Sequence, residues 1–360
     1  KAFAIKTVAR QPLNPNKFAA KKPDMQRYHF KNDFVLENGD VLKELVIAYH
    51  TYGHLNEAKD NVIWICHALT ANSDAKAWWP GLVGEGLVFD TRRYFIVCAN
   101  ILGSCYGTTG PSERNPETGK PYYHDFPFVT IRDMVKAHQL LRSHLHINKI
   151  ELLAGGSMGG YQALEWCRME KEAISNLFLI ATSARETAWG IGIHTAQRMA
   201  IETDPTWKQP DAAAGRQGLK AARAIGMITY RSYDSFVQKQ ADSDNNKTDD
   251  FKASSYILYQ GEKLASRFTA YSYWYLTKAL DSHNLARGCG SLEKALGSIA
   301  AETLVMGISS DLLCPLQEQK FLAEHIPHAT FVSIDSLFGH DGFLVETKAI
   351  TEAIFAWWKD

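Results

Sequence analysis

The stretch Leu152-Leu-Ala-Gly-Gly-Ser-Met-Gly-Gly160 carries a Gly-x-Ser-x-Gly pattern centred on Ser157. With glycine and serine each near ~7% of residues, a chain of this length shows such a pattern by chance about one time in ten, so the pattern alone is weak. Its setting makes it specific. An apolar run leads into it, and a helix-forming segment, Tyr161-Gln-Ala-Leu-Glu-Trp166, leads out. A serine on a sharp strand-to-helix turn takes a strained backbone conformation, and small neighbours let the two elements approach closely. The hydroxyl then stands clear of a sheet at the positive end of a helix, placed to attack an acyl carbon.

A serine hydroxyl needs a base, and in this architecture the partners follow in the order Ser, acid, His. His340 lies in Leu337-Phe-Gly-His-Asp-Gly-Phe343 and Asp311 in Gly307-Ile-Ser-Ser-Asp-Leu-Leu-Cys-Pro315, both in loops just past predicted strands. A blander reading makes Asp311 a cap for the following Pro-led helix. Asp335 reads better as a turn former, His67 precedes the serine, and Cys105 reads as a packed thiol. Acyl transfer also needs donors for the developing oxyanion. The amides of Met158, first in the helix after the serine, and of Leu69, in His67-Ala-Leu-Thr70 at a strand end, are the candidates.

The elements around these residues read as an α/β fold. The segments His29–Leu36 and Glu44–Tyr52 flank the turn Glu37-Asn-Gly-Asp40 and predict a hairpin. Val62–Cys66 and Tyr94–Cys98 are continuous apolar runs suited to strands covered on both faces. Ile131–Leu145 and Met158–Arg168 read as helices, with strands at Ile150–Leu153 and Leu177–Ala181. From about Arg185 to Ile299 strand-like runs vanish and helical segments take over. Alternation then returns with Thr303–Ile308, Leu316–His325, Thr330–Ile334 and Thr347–Trp358. The pattern predicts an α/β core of residues 1–184 and 300–360, with a mostly parallel sheet, and an inserted helical cap of residues 185–299. Asp242–Asp250 reads as a solvated loop.

Composition narrows the function. The 360 residues are 46% hydrophobic and 22% charged, with 39 Lys+Arg against 39 Asp+Glu. That balance supplies no global field for nucleic acid or anionic lipid. No apolar run approaches the ~18 residues of a membrane span, and the first residues carry no apolar segment of signal-peptide length. The six cysteines show no zinc-like spacing and read as free thiols in a reducing cytoplasm.

Taken together, the motifs resemble the homoserine O-acetyltransferase family of α/β-hydrolase-fold enzymes. The resemblance runs from about Phe34 to Phe343 and rests on His67-Ala-Leu-Thr70, Asn100–Pro111, Gly155-Gly-Ser-Met-Gly-Gly-Tyr-Gln-Ala-Leu-Glu-Trp166, Ile228–Ser232, Ser255–Gly261, Arg267–Tyr273 and Gly339-His-Asp-Gly-Phe-Leu344. It implies a triad of Ser157, Asp311 and His340. It implies that Arg223 and Tyr230 line the amino-acid site from the cap, and that Asp341 binds the substrate ammonium. It further implies acetyl-CoA as co-substrate, homoserine as acceptor, no metal, and a homodimer formed through the cap. The exposed faces of Ala188–Ile201 and Tyr271–Leu280 are candidate contacts, with internal packing of either as the alternative. Succinyl transfer, serine acylation and plain ester or thioester hydrolysis remain as alternatives on the same scaffold.

Overall fold

The computed structural model describes residues 24–358. One eight-stranded sheet organises them: β1 (Gln26–Phe30), β2 (Leu45–Tyr52), β3 (Val62–Cys66), β4 (Phe95–Ala99), β5 (Ile150–Gly156), β6 (Ile174–Ile180), β7 (Glu302–Ile308) and β8 (Ala329–Ile334). Across the sheet the order is β1-β2-β4-β3-β5-β6-β7-β8. β2 runs antiparallel to both its neighbours, whereas the neighbouring pairs from β4 to β8 are parallel.

The predicted hairpin is divided in two. β1 stops at Phe30 and pairs with β2, while Phe34–Val35 pairs separately with Val41–Leu42 around the turn. The exposed polar run Lys31-Asn32-Asp33 is a poor strand former and breaks the pairing.

The central strands bury both faces, and alternation splits their side chains between two cores. From β3, Trp64 and Cys66 pack under the helices α1 (Ile131–His144) and α2 (Met158–Met169). Ile63 and Ile65 face the other way, with Trp79 and the helix Thr347–Trp357. α1 starts at a capping box in which Thr130 and Asp133 satisfy each other's backbone amides.

The segment Gln162-Ala-Leu-Glu-Trp166 binds these layers together. Gln162 Nε2 donates to His67 O at 3.1 Å, and its Oε1 accepts from His138 Nε2 at 3.0 Å. Fully buried Glu165 takes Arg132 and Arg168, each at 3.1 Å. Arg132 also reaches Glu37 at 2.9 Å, which ties α1, α2 and the first turn into one ionic network.

Between β6 and β7 lie the helices α3 (Ala188–Glu202), α4 (Arg216–Tyr230), α5 (Tyr233–Gln240), α6 (Lys252–Ala265) and α7 (Ala270–Asp281), with a short turn of helix at Leu292–Leu296. Asp242–Asp250 is irregular and mostly exposed. Of the two alternatives for Tyr271–Leu280, α7 takes internal packing. Tyr271, Tyr273 and Leu276 are fully buried, and Tyr271 packs on Tyr123 and Trp207 with ring centroids 4.9 and 5.1 Å away. Its aromatic residues form the centre of the helical layer, and of Tyr271–Leu280 only Trp274 and Lys278 are partly exposed. The exposed large apolar residues of the insert are elsewhere, among them Trp189 and Met199 on α3, Ile228 on α4, and Leu258 and Tyr259 on α6.

Candidate active site

Ser157 occupies the one-residue turn between β5 and α2 with φ 54° and ψ −127°. A non-glycine residue in that region costs about 1–3 kcal/mol and persists only where its surroundings enforce it. Here the enforcement is visible. Ser157 N–H donates to Ile180 O at 3.0 Å, and Ser157 O accepts from Gly160 N at 2.9 Å and from Thr182 Oγ1 at 2.9 Å. The flanking glycines make the turn sterically feasible. A Cβ on Gly155 would lie 2.3 Å from Gly159 O, and one on Gly159 would lie 2.1 Å from Cys66 O. The start of α2 therefore presses directly against the end of β3.

The three side chains expected to form the triad meet. Ser157 Oγ lies 2.8 Å from His340 Nε2, and His340 Nδ1 lies 2.7 Å from Asp311 Oδ2. In the neutral tautomer Nδ1–H donates to the carboxylate and Nε2 accepts from the hydroxyl. His340 and Asp311 are buried. Asp311 Oδ1 accepts from the amides of Leu313 and Cys314 at 2.8 and 2.9 Å, so the aspartate organises the turn before the next helix with one oxygen and orients the imidazole with the other. Burial disfavours charge on His340, but the Asp311 carboxylate, its hydrogen bond, and the nearby Asp341 and Glu186 outweigh it and raise the histidine pKa.

The competing residues are engaged elsewhere. His67 Nε2 accepts from Ile101 N–H at 3.1 Å and its Nδ1 faces Ala68 O at 2.9 Å. Burial pulls its pKa down to about 4, so it is a neutral strut between two loops. Asp335 accepts from Ser309 Oγ at 2.9 Å. Cys105 lies 3.8 Å from Arg267 O, and burial pushes its thiol up to about 11.

Leu69 and Met158 both adjoin the serine: Leu69 lines its cavity and Met158 opens α2. Among the described residues, no acceptor is bonded to either amide. Two unspent donors beside a strained nucleophile fit an anion-stabilising pair.

Ser157 and His340 open into a cavity of about 210 Å³. Arg223, Tyr230 and Asp341 line it on one side. The Arg223 guanidinium stands 5.3 Å from the Tyr230 ring, its Nε has no partner, and no carboxylate pairs with it among the described residues. Tyr230 lies 5.9 Å from the His340 ring. Asp341 is partly committed, with Oδ2 3.2 Å from Arg231 Nε. Burial raises the Asp341 pKa against the pull of Arg231, His340 and Arg223.

Sequence reasoning misses other lining residues: Tyr161, Glu186, His194, Arg267 and Cys314. Tyr161 is recoverable, being one helical turn beyond Ser157 and so on the same face. Asp311, Cys314 and His340 bring potential ligand atoms within 4.8 Å of one another. The hydrogen bonds of the Asp–His pair already account for that proximity.

A strained serine at a strand–helix turn, relayed through histidine to aspartate beneath a helical insert, defines an α/β-hydrolase-fold protein. A family model described as the alpha/beta hydrolase fold matches residues 61–347. The homoserine O-acetyltransferase of Cyclobacterium marinum is 48% identical over 315 residues, covering 88% of this chain and 90% of that relative. The chain belongs to the homoserine O-acetyltransferase family. Among solved structures, the homoserine O-acetyltransferase of Bacillus anthracis superposes with a TM-score of 0.88 at 24% identity, covering 94% of this chain and 98% of that one, a likeness of fold. An esterase superposes with a TM-score of 0.83 at 25% identity, covering 93% of this chain and all of that one.

Proposed function

We propose that this chain transfers an acetyl group from acetyl-CoA to the hydroxyl of L-homoserine through an acetyl-Ser157 intermediate. The observation that carries the reading is the pairing of a Ser–His–Asp relay with an unpaired Arg223 guanidinium in the same cavity. Hydrolysis of a simple ester has no use for that cation. An amino-acid carboxylate can take it with two parallel hydrogen bonds.

In the first half-reaction His340 Nε2 accepts the Ser157 proton as Oγ attacks the thioester carbon. The amides of Met158 and Leu69 hold the oxyanion, and removing one such donor costs roughly 10²–10³ in rate. The carbon–sulfur bond breaks, His340 returns the proton to sulfur, and the coenzyme thiol leaves. In the second, His340 deprotonates the homoserine hydroxyl, which attacks the acetyl-serine carbonyl, and Ser157 regains its proton from His340. Asp311 fixes the imidazole tautomer and stabilises its cation. Arg223 holds the amino-acid carboxylate, Tyr230 forms the adjoining wall, and the Asp341 oxygen not directed at Arg231 receives the ammonium. Fixing both ends of the acceptor raises its effective concentration over water.

The reading includes a division into a core of residues 1–184 and 300–360 and a cap of residues 185–299, supported by the all-helical run between β6 and β7. It includes a homodimer through the cap, supported by exposed Trp189, Met199 and Leu258 there. It also includes a reducing cytoplasm, supported by six free cysteines, four of them buried.

Plain hydrolysis is the second reading, favoured by the esterase neighbour. The test incubates the protein with acetyl-CoA, with and without homoserine, and weighs protein and products. Acetylated Ser157 followed by O-acetylhomoserine supports transfer, and Ser157→Ala abolishes both with a rate loss of roughly 10⁴–10⁶. Acetate as the product despite saturating homoserine overturns it.

A further inference from the structure

Arg267 lines the catalytic cavity, yet the half-reactions above give it no part. It sits in the turn between α6 and α7, where its amide donates to Leu264 O at 3.0 Å. Among the described residues, no carboxylate pairs with its guanidinium. Instead Nη1 donates to Thr70 O at 2.7 Å and to Tyr106 Oη at 2.5 Å. Thr70 directly follows Leu69, whose amide is one of the two oxyanion donors.

Two peptide groups connect the cation to that amide. The Thr70–Ala71 peptide takes Arg267 at its carbonyl, and its N–H, on Ala71, donates to Ala68 O at 3.0 Å. The Ala68–Leu69 peptide accepts there and carries the Leu69 N–H at its other end. A peptide group is planar, with C=O and N–H pointing in opposite directions, so holding Ala68 O sets where Leu69 N–H points. The inner side of this loop is held by the core: Gln162 Nε2 donates to His67 O at 3.1 Å, and His67 Nδ1–H to Ala68 O at 2.9 Å. On the outer side, among the described residues, Arg267 is the donor that reaches Thr70 O. A charged donor makes a stronger hydrogen bond than a neutral one, and hydrogen bonds in a chain polarise one another. The guanidinium therefore aims the Leu69 N–H and strengthens it as a donor.

We propose that Arg267 is a positioning residue for the oxyanion donor Leu69, acting from the helical layer through the turn Ala68-Leu-Thr-Ala71. The proposal rests on the acyl-enzyme reading above, in which the Leu69 amide receives the oxyanion, and adds the residue that holds that amide in place. Its effect falls on acylation of Ser157 by any acetyl donor, because the oxyanion forms whatever the leaving group.

The test measures acylation of native protein, Arg267→Ala, Arg267→Met and Arg267→Lys by acetyl-CoA and by para-nitrophenyl acetate, an acetyl ester without the coenzyme. Melting temperatures identify the variants that fold. A displaced donor costs up to what a missing one costs, so Arg267→Ala should lower kcat roughly 10–100-fold. The loss should be alike for both acetyl donors, with KM for each little changed. Arg267→Met keeps the alkyl stem and its packing, and the same outcome is expected of it if the alanine variant does not fold. Arg267→Lys keeps a charged donor on a similar stem and should retain more kcat than Arg267→Met. A loss confined to acetyl-CoA and seen as a raised KM overturns the proposal, since Arg267 would then be a coenzyme contact. Native kcat in a folded Arg267→Ala or Arg267→Met overturns it, and so does equal kcat in the methionine and lysine variants. Failure of the transfer reading appears separately, as acetate in place of the amino-acid ester when the native protein is given homoserine. Para-nitrophenyl acetate still reports on the oxyanion in that case.

Discussion

The turn at Ser157 and the helical layer above it treat polar groups in opposite ways. At the turn the reacting residues are bonded internally: the serine backbone has four partners, the Asp311 carboxylate has three, and both His340 nitrogens are occupied. In the helical layer, buried side-chain atoms of Gln197 and Arg223 have no partner. A buried polar group left unpaired costs about 1–3 kcal/mol. The contrast separates two tasks. Reacting atoms gain from being fixed before substrate arrives, whereas a recognition wall gains from bonding capacity held for the ligand.

Substitutions that affect one region and spare the other sharpen this contrast. The largest effect is expected at Gly159, where an added Cβ has no room against the Cys66 carbonyl. Gly159→Ala should lose about 3–5 kcal/mol of stability or fail to fold, as thermal denaturation will report. Arg223→Ala should leave the melting temperature nearly intact and slow thioester hydrolysis unchanged, while kcat/KM for homoserine drops roughly 10²-fold. Equal loss of hydrolysis and transfer would break the division of tasks.

Asp341→Asn tests whether the two regions meet at His340. The carboxylate of Asp341 helps raise the histidine pKa, and the base must be neutral to act. Activity in the native protein should therefore fall as pH drops through a value above that of an ordinary histidine. The asparagine variant should move that acid limb of kcat/KM to lower pH. An unmoved limb would separate Asp341 from the base. The smallest effect is expected at Gly192, in the interior of α3, where an added Cβ meets nothing within 4 Å. Gly192→Ala should stabilise the protein by up to about 1 kcal/mol in the same denaturation assay.

The two regions also differ in how legible they are from sequence. The central strands show as apolar runs because both faces are covered, and Ser157 and Asp311 show because each follows such a run, whereas His340 follows the mixed edge strand β8. The division of the first hairpin at Lys31–Asp33 is a local matter of strand propensity. The packing of α7 is a tertiary matter: Tyr123 and Trp207 cover Tyr271 and Phe126 covers Tyr275, all distant in sequence from α7. Glu186 is hard to find because its donor Tyr161 is brought to it only by the fold, although Gly190, where an added Cβ would lie 1.9 Å from Glu186 Oε1, is only four positions on. The one local signal is Thr187-x-x-Gly190, a helix start with an unusually small third residue.

The nucleophile and its base are separated by 183 positions of chain, with the whole helical layer between them. At about 5–20 residues per second, a ribosome needs roughly 10–40 s to travel from the serine codon to the histidine codon. Throughout that interval the nascent polypeptide holds a serine without its activator. On the acyl-transfer reading, half-made copies are therefore inert, and the serine gains its base only after the whole helical layer has been made.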